Sequence, residues 1–145
     1  LKGAEIVAGN KVYKCEDPDG FAFGIISSSM FITWQKAVGG RIKNDPAFSN
    51  TLTWNSFPLP EVSDAERQSI IEAGARVLEA RAKHPERTLA QHYAEGFMDT
   101  DLLKAHAALD RVVDRQFSQR KCETNERRAQ VLFERYAQLT TSKKY

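Results

Sequence analysis

The sequence predicts an α+β fold that is mostly α, with short strands and one helix at the amino-terminal end and then a small helical bundle. Three observations carry that expectation. Brief apolar or alternating runs separated by turn residues fill residues 1–25. After Pro60 the apolar residues recur at the three- and four-residue spacing of amphipathic helices. Between them, residues 38–60, VGGRIKNDPAFSNTLTWNSFPLP, follow no long-helix period. The organisation implied is an amino-terminal part, residues 1–60, and a helical part, residues 61–145.

The elements follow in order. AEIVAG (4–9), KVYKCE (11–16) and GFAFGII (20–26) read as strands, parted by Gly9-Asn10 and by Asp17-Pro18-Asp19-Gly20 as turns. SSSMFITWQKAVGG reads as a helix: a serine among 27–29 caps it, Met30, Trp34, Ala37 and Val38 share a face, and Gly39-Gly40 stops it. A loop follows, then a strand at TLTWNSF (51–57), which Pro58 and Pro60 end because neither can donate a ladder hydrogen bond. Ser63 and Glu66 stand in capping-box register before a helix with the stripe Ile70, Gly74, Val77 and Leu78, closed by His84-Pro85. TLAQHYAEGFM reads as a short helix or turn. The next helix carries Leu102, His106, Leu109, Val113 and Phe117, and the last carries Ala129, Leu132, Phe133, Tyr136 and Leu139. Leu109, Val113, Leu132, Phe133 and Tyr136 are expected to meet in one core.

Composition narrows the function. In 145 residues, 41% are hydrophobic and 28% charged, which suits a folded domain and not a disordered one. The net charge of +2 is too small to argue for nucleic-acid binding by bulk attraction, so any basic surface must be local. Cys15 and Cys122, the two cysteines, read as reduced thiols of a cytoplasmic protein. No apolar run is long enough for a membrane span and no signal-peptide pattern opens the chain. The chain begins with Leu1 and not Met, which predicts a segment of something longer.

The motifs of common catalysts are missing from the sequence: it holds no G-x-G-x-x-G, Walker loop, H-E-x-x-H or C-x-x-C. His84, His92 and His106 do not stand at metal-ligand spacing. No acid is followed two residues later by Lys, the half-motif of many metal-dependent nucleases. Asp110 and Asp114 fall at i,i+4, but Arg111 and Arg115 alternate with them, so an ion-pair face or a helix-packing contact is the expected role. No residue of this chain is predicted to be catalytic, to bind a cofactor or to ligate a metal.

The stretch GIISSSMFITWQKAVGGRIKNDPAFSNTLTWNSFPLPE resembles the end of the target-recognition domain in large type II restriction-modification proteins of the IIG or IIL kind. Those proteins join an adenine-N6 DNA methyltransferase, and often a nuclease, to one recognition domain. The family phrase is met here by Ser28, Ser29, Met30 and Trp34, then Gly40, Arg41, Lys43 and Asp45, then Phe48, Ser49, Asn55, Phe57, Pro58 and Pro60. LLKAHAALDRVVDRQF and RRAQVLFERYAQLT are similar to the helical tail that ends the same proteins. Phe48 and Trp54 stand where the family has Tyr, each losing a hydroxyl, and Ala47 stands where Arg or another polar residue is usual.

The resemblance implies a bacterial, cytoplasmic parent enzyme that uses S-adenosylmethionine and acts on double-stranded DNA. The family's catalytic Asn-Pro-Pro-aromatic phrase and its cofactor loop do not occur in this chain. The segment is then expected to direct the parent to its site without performing its chemistry, next to a methyltransferase domain that it lacks. Lys43 and Asp45, one residue apart, would point to the same side of an extended segment. There Lys43 can donate to O6 or N7 of guanine while Asp45 accepts from N4 of the paired cytosine. Pro46 biases Asp45 toward extended geometry. Arg41, Ser49 and Asn55 are the candidates for the DNA backbone or for bracing the loop. The competing reading is a helical protein-interaction module whose loop is purely structural, with Lys43 and Asp45 as a surface ion pair.

Overall fold

Helix α1, Phe21–Ile26, stands where a strand was expected. Asp17 accepts the N–H groups of Ala22 and Phe23 at 3.0 and 2.8 Å, and Asp19 accepts that of Phe21 at 3.1 Å. The two carboxylates satisfy three amides that a helix start leaves without partners. Gly20, at φ 86°, makes the left-handed turn into the helix at little steric cost. The Asp-Pro-Asp-Gly run is thus a turn whose acids cap a helix instead of linking two strands. The computed structural model describes residues 14–42, 45–94 and 96–142, with the backbone alone at 41, 42, 45–47 and 142. The expected strand at 4–9 lies outside the described residues, and of the one at 11–16 only residues 14–16 are described, as irregular chain.

Helix α2, Ser29–Val38, begins where Ser28 Oγ accepts the N–H of Phe31 at 3.3 Å and ends at Gly39. Met30, Phe31 and Trp34 are buried, whereas Ala37 of the expected face is exposed. A two-strand antiparallel ribbon follows, β1 (Gly40–Ile42) and β2 (Asp45–Ala47). The strand expected at 51–57 is instead a π-helical turn, Asn50–Trp54. Ser49 Oγ accepts the N–H of Leu52 at 3.3 Å, Asn50 Oδ1 accepts that of Thr51 at 2.8 Å, and Asn50 O accepts that of Asn55 at 2.8 Å. Ser and Asn side chains offer the backbone these local partners in place of a sheet ladder, and here they prevail over the alternating apolar pattern. The α+β class is therefore corrected. The described chain is mostly helical, and among the described residues its strands are two of three residues each.

The rest is helical as expected: α3 (Asp64–Ala82), α4 (Leu89–His92), α5 (Thr100–Phe117) and α6 (Asn125–Ser142). The capping box forms, with Ser63 N–H donating to Glu66 at 2.8 Å and Glu66 N–H donating to Ser63 Oγ at 3.3 Å. Helices α3 and α5 pack side by side, α1 crosses α3, and α6 lies chiefly on α2. At the α1–α3 crossing the backbones meet. A Cβ on Gly24 would stand 2.8 Å from Ile70 Cγ2, and one on Gly74 would stand 3.2 Å from Gly24 Cα.

One hydrophobic core runs across Pro60: Ile25, Met30, Phe31, Trp34 and Phe57 share it with Ile70, Val77, Leu109, Val113 and Leu132. Each large side chain so buried contributes on the order of 1.5–3 kcal/mol. Two expected stripes are rotated. Leu78 is exposed, and α6 buries Val131 beside Leu132 while Phe133 and Tyr136 stay 47% and 39% exposed. Those two rings lie against Trp34 at 5.4 and 5.5 Å, so α6 turns toward α2 and not wholly toward α5. No described helix is long and apolar enough to cross a membrane.

Candidate nucleic-acid interface

The passage 38–60 is built outward from Phe31. Its ring meets those of Phe48, Trp54 and Phe57 at 6.4, 5.8 and 5.2 Å, so the aromatics of the passage turn inward. Trp34 Nε1 donates to Ser56 Oγ at 3.2 Å, and Ser56 donates to Leu52 O at 2.5 Å. Arg135 Nε donates to Pro58 O at 2.8 Å, tying the Phe-Pro-x-Pro run to α6. Phe48 and Trp54 both hold their ring bodies packed against the core.

The ribbon that these anchors hold carries three of the five sequence-predicted site positions. Arg41 pairs with Pro46 and Ile42 with Asp45, so the chain reverses between Ile42 and Asp45. Lys43 lies outside the described residues, and of Arg41 and Asp45 the backbone is described. Ser49 caps the π turn through Leu52, and Asn55 closes it with its backbone N–H while being itself exposed.

The other end of α2 is held by a polar network whose partners, Ser29 and Arg128, lie far from its two acids in sequence. Ser29 donates its N–H and its hydroxyl to the two carboxylate oxygens of Asp110, at 2.7 and 2.6 Å. Asp114 accepts two bonds from Arg128, at 3.0 and 2.8 Å, and Arg128 also donates to Asn125 at 3.2 Å. Arg128 and Asp114 are about nine-tenths buried. Burial pushes the Asp114 carboxyl up, and the Arg128 guanidinium pulls against that shift. A buried pair with its hydrogen bonds complete fixes geometry more than it adds stability. The i,i+4 acids are therefore a helix-packing device, one of the two roles expected for them.

Two cavities flank this network. A groove of about 480 Å3 beside α2 is lined by Ile32, Thr33, Lys36 and His106 among others. A second, of about 580 Å3 where α5 meets α6, carries Arg111, Arg115, Arg120 and Lys121. Among the described residues no group of three His, Cys, Asp or Glu side chains could hold a metal ion.

Comparison with known proteins divides the chain at residue 61. The profile of the MmeI target recognition domain matches residues 1–61, and that of the MmeI C-terminal domain matches residues 62–143. DNA methyltransferase A of Bacillus subtilis (strain 168) is 37% identical over 140 residues, which are 97% of this chain and 16% of that protein. Among solved structures, the type IIL restriction-modification enzyme MmeI in complex with DNA matches with a TM-score of 0.82 and 34% identity. That match covers 86% of this chain and 17% of the enzyme.

Proposed function

This chain belongs to the MmeI family, spanning its target recognition and C-terminal domains, and on that premise we propose that it aims a larger DNA methyltransferase at its site. The parent would transfer a methyl group from S-adenosylmethionine to N6 of adenine, within a restriction-modification system, and this segment would contribute binding and register only. The observation that carries the reading is the match across both parts of the chain to an enzyme solved on DNA. Neither cavity described above has a Phe, Tyr or Trp wall to stack an adenine, so the cofactor is assigned to the remainder of the protein.

Within that reading, Lys43 and Asp45 read one base pair, and Arg41 neutralises phosphate. A donor and an acceptor one residue apart suit the two halves of a G·C pair, guanine O6 or N7 for Lys43 and cytosine N4 for Asp45. An acid among phosphates is electrostatically unfavourable, and such a contact offsets that cost. Ser49 and Asn55 support the reading as braces of the segment that follows the ribbon. The division near Pro60 belongs to the same proposal, with the ribbon on the recognition side and α3–α6 as its support.

Methylation of a randomised-site library by the full-length protein tests this. The wild type should require G·C at one position, and Lys43→Glu with Asp45→Arg should change the pair accepted there. Identical preferences at every position would remove the base-reading role and favour a structural loop on a helical interaction module.

A further inference from the structure

Arg111 and Arg115 repeat at i,i+4 beside Asp110 and Asp114, a pattern that on a solvated helix would pair arginines with acids. The fold denies that pairing. Asp110 gives both carboxylate oxygens to Ser29, and Asp114 gives both to Arg128. The side chains of Arg111 and Arg115 are left exposed, with no hydrogen bond or ion pair among the described residues, and that of Arg120 is in the same state. Lys121 reaches Glu123 at 3.9 Å, with both side chains more than three-quarters exposed, a pair worth little in water. These four cations line one cavity of about 580 Å3, at the junction of α5 and α6. The turn carrying Arg120 is set by its own N–H, which donates to Ser118 Oγ at 3.1 Å.

The lining holds five cations, these four and Arg128, against the carboxylates of Asp110, Asp114 and Glu123, and a polyanion offsets the excess of positive charge. Three of the four are guanidinium groups, whose planar fork matches phosphate oxygens. We propose that this cavity rim takes phosphates of the DNA backbone as a second contact, separate from the ribbon. The inference rests on the DNA-recognition reading above. Its geometry suits a single duplex. Asp110, on the cavity, holds the first residue of α2, and the ribbon begins just past that helix's last residue. The ten residues of α2 span about 15 Å, less than half of the ~34 Å turn of a duplex. Contacts of this kind set affinity and register and carry no base information.

The test uses the full-length protein with Arg111→Ala, Arg115→Ala and Arg120→Ala combined. Alanine is the best helix former, so the exposed helical positions tolerate it, and a melting curve checks the fold. Duplex binding is measured across about 50–200 mM salt. The log–log slope should become shallower by roughly two to three, each lost phosphate contact being worth about 0.9, while base preference in the randomised library stays as in the wild type. An unchanged slope overturns the inference. Titration with inorganic phosphate separates the two sources of the anion. If phosphate raises the Tm of the wild type and not of the variant while the slopes agree, the cavity holds a free anion only and the backbone contact is overturned. Arg41→Ala run in parallel keeps the two readings apart. Flattening by Arg41→Ala alone leaves the recognition reading standing and ends this one. Flattening by the triple variant, with Lys43 and Asp45 exchanges leaving base preference untouched, supports the cavity contact and removes the base reading.

Discussion

Asp110 clasps Ser29 with both carboxylate oxygens, across eighty-one positions of sequence, and so caps the helix that launches the ribbon. Asp110→Ala removes a helix cap and leaves the Ser29 N–H and hydroxyl without their partner. A loss of about 1–3 kcal/mol is expected, read as a lower urea midpoint with an unchanged m-value. Asp110→Asn, which keeps an acceptor for the amide, should lose less. Midpoints equal to the wild type in both variants would show that the clasp adds nothing.

Gly24→Ala should destabilise although alanine is the better helix former. The propensity gain is about 1 kcal/mol, but the new methyl would meet Ile70 Cγ2 at 2.8 Å and Ile70 O at 3.0 Å. Overpacking against backbone costs roughly 1–3 kcal/mol. Gly74→Ala, whose nearest atom lies at 3.2 Å, should be the milder change. A Tm for Gly24→Ala at or above that of the wild type would mean the two helices separate freely.

Leu132 and Phe133 are neighbours with different surroundings. Leu132 is fully buried and Phe133 is 47% exposed against Trp34. Leu132→Ala should cost roughly 2–5 kcal/mol, and Phe133→Ala less despite removing the larger side chain. Chemical unfolding of the two variants side by side gives the order, and the reverse order would place the seam of α6 one residue further on.

His106 is expected to make the fold sensitive to mild acid. Burial lowers its pKa below the ordinary 6.5, and the Arg81 cation lowers it further, while Asp110 and the backbone of Ser27 oppose them. Its Nε2 lies 2.8 Å from the Tyr93 hydroxyl, which also accepts from Arg81. The folded chain therefore holds the neutral ring, and the unfolded chain takes up the proton first as pH falls. Stability is fully present above the unfolded pKa and is lost as pH drops through the folded one. Urea midpoints between about pH 7 and 5, above the usual carboxylate range, should fall in the wild type and fall less in His106→Gln. Parallel profiles would assign the acid sensitivity elsewhere.

The helical tail was legible because its signals are local. Ser63 and Glu66 announce a capping box from four consecutive positions, and Leu102, Leu109 and Val113 announce a buried face from their period. Phe133 and Tyr136 were misplaced because a stripe gives the phase of a helix and not the neighbour it faces. Helix α1 was misread as a strand because Asp17 caps it from five residues ahead, a contact that an alternating apolar run conceals. The candidate site divides in the same way. Arg41, Lys43 and Asp45 stand within one short run of sequence, whereas the clasp from Asp110 and the Arg128–Asp114 pair join residues whose spacing follows no period.

A core shared across Pro60 makes the two parts poor candidates for independent exchange. Trp34 rests on Phe133 and Tyr136, Phe57 rests on Phe117, and Arg135 holds the carbonyl of Pro58. A chimera cut at that proline would set a foreign α6 against Trp34 and a foreign α5 against Ser29. On the proposed reading, in which the ribbon reads the site, swapping target preference between relatives would succeed by altering the ribbon alone, or by moving residues on both sides of the cut together. Ribbon and tail would then diverge at different rates: the ribbon is free to drift, and the residues that clasp α2 are bound to change in concert.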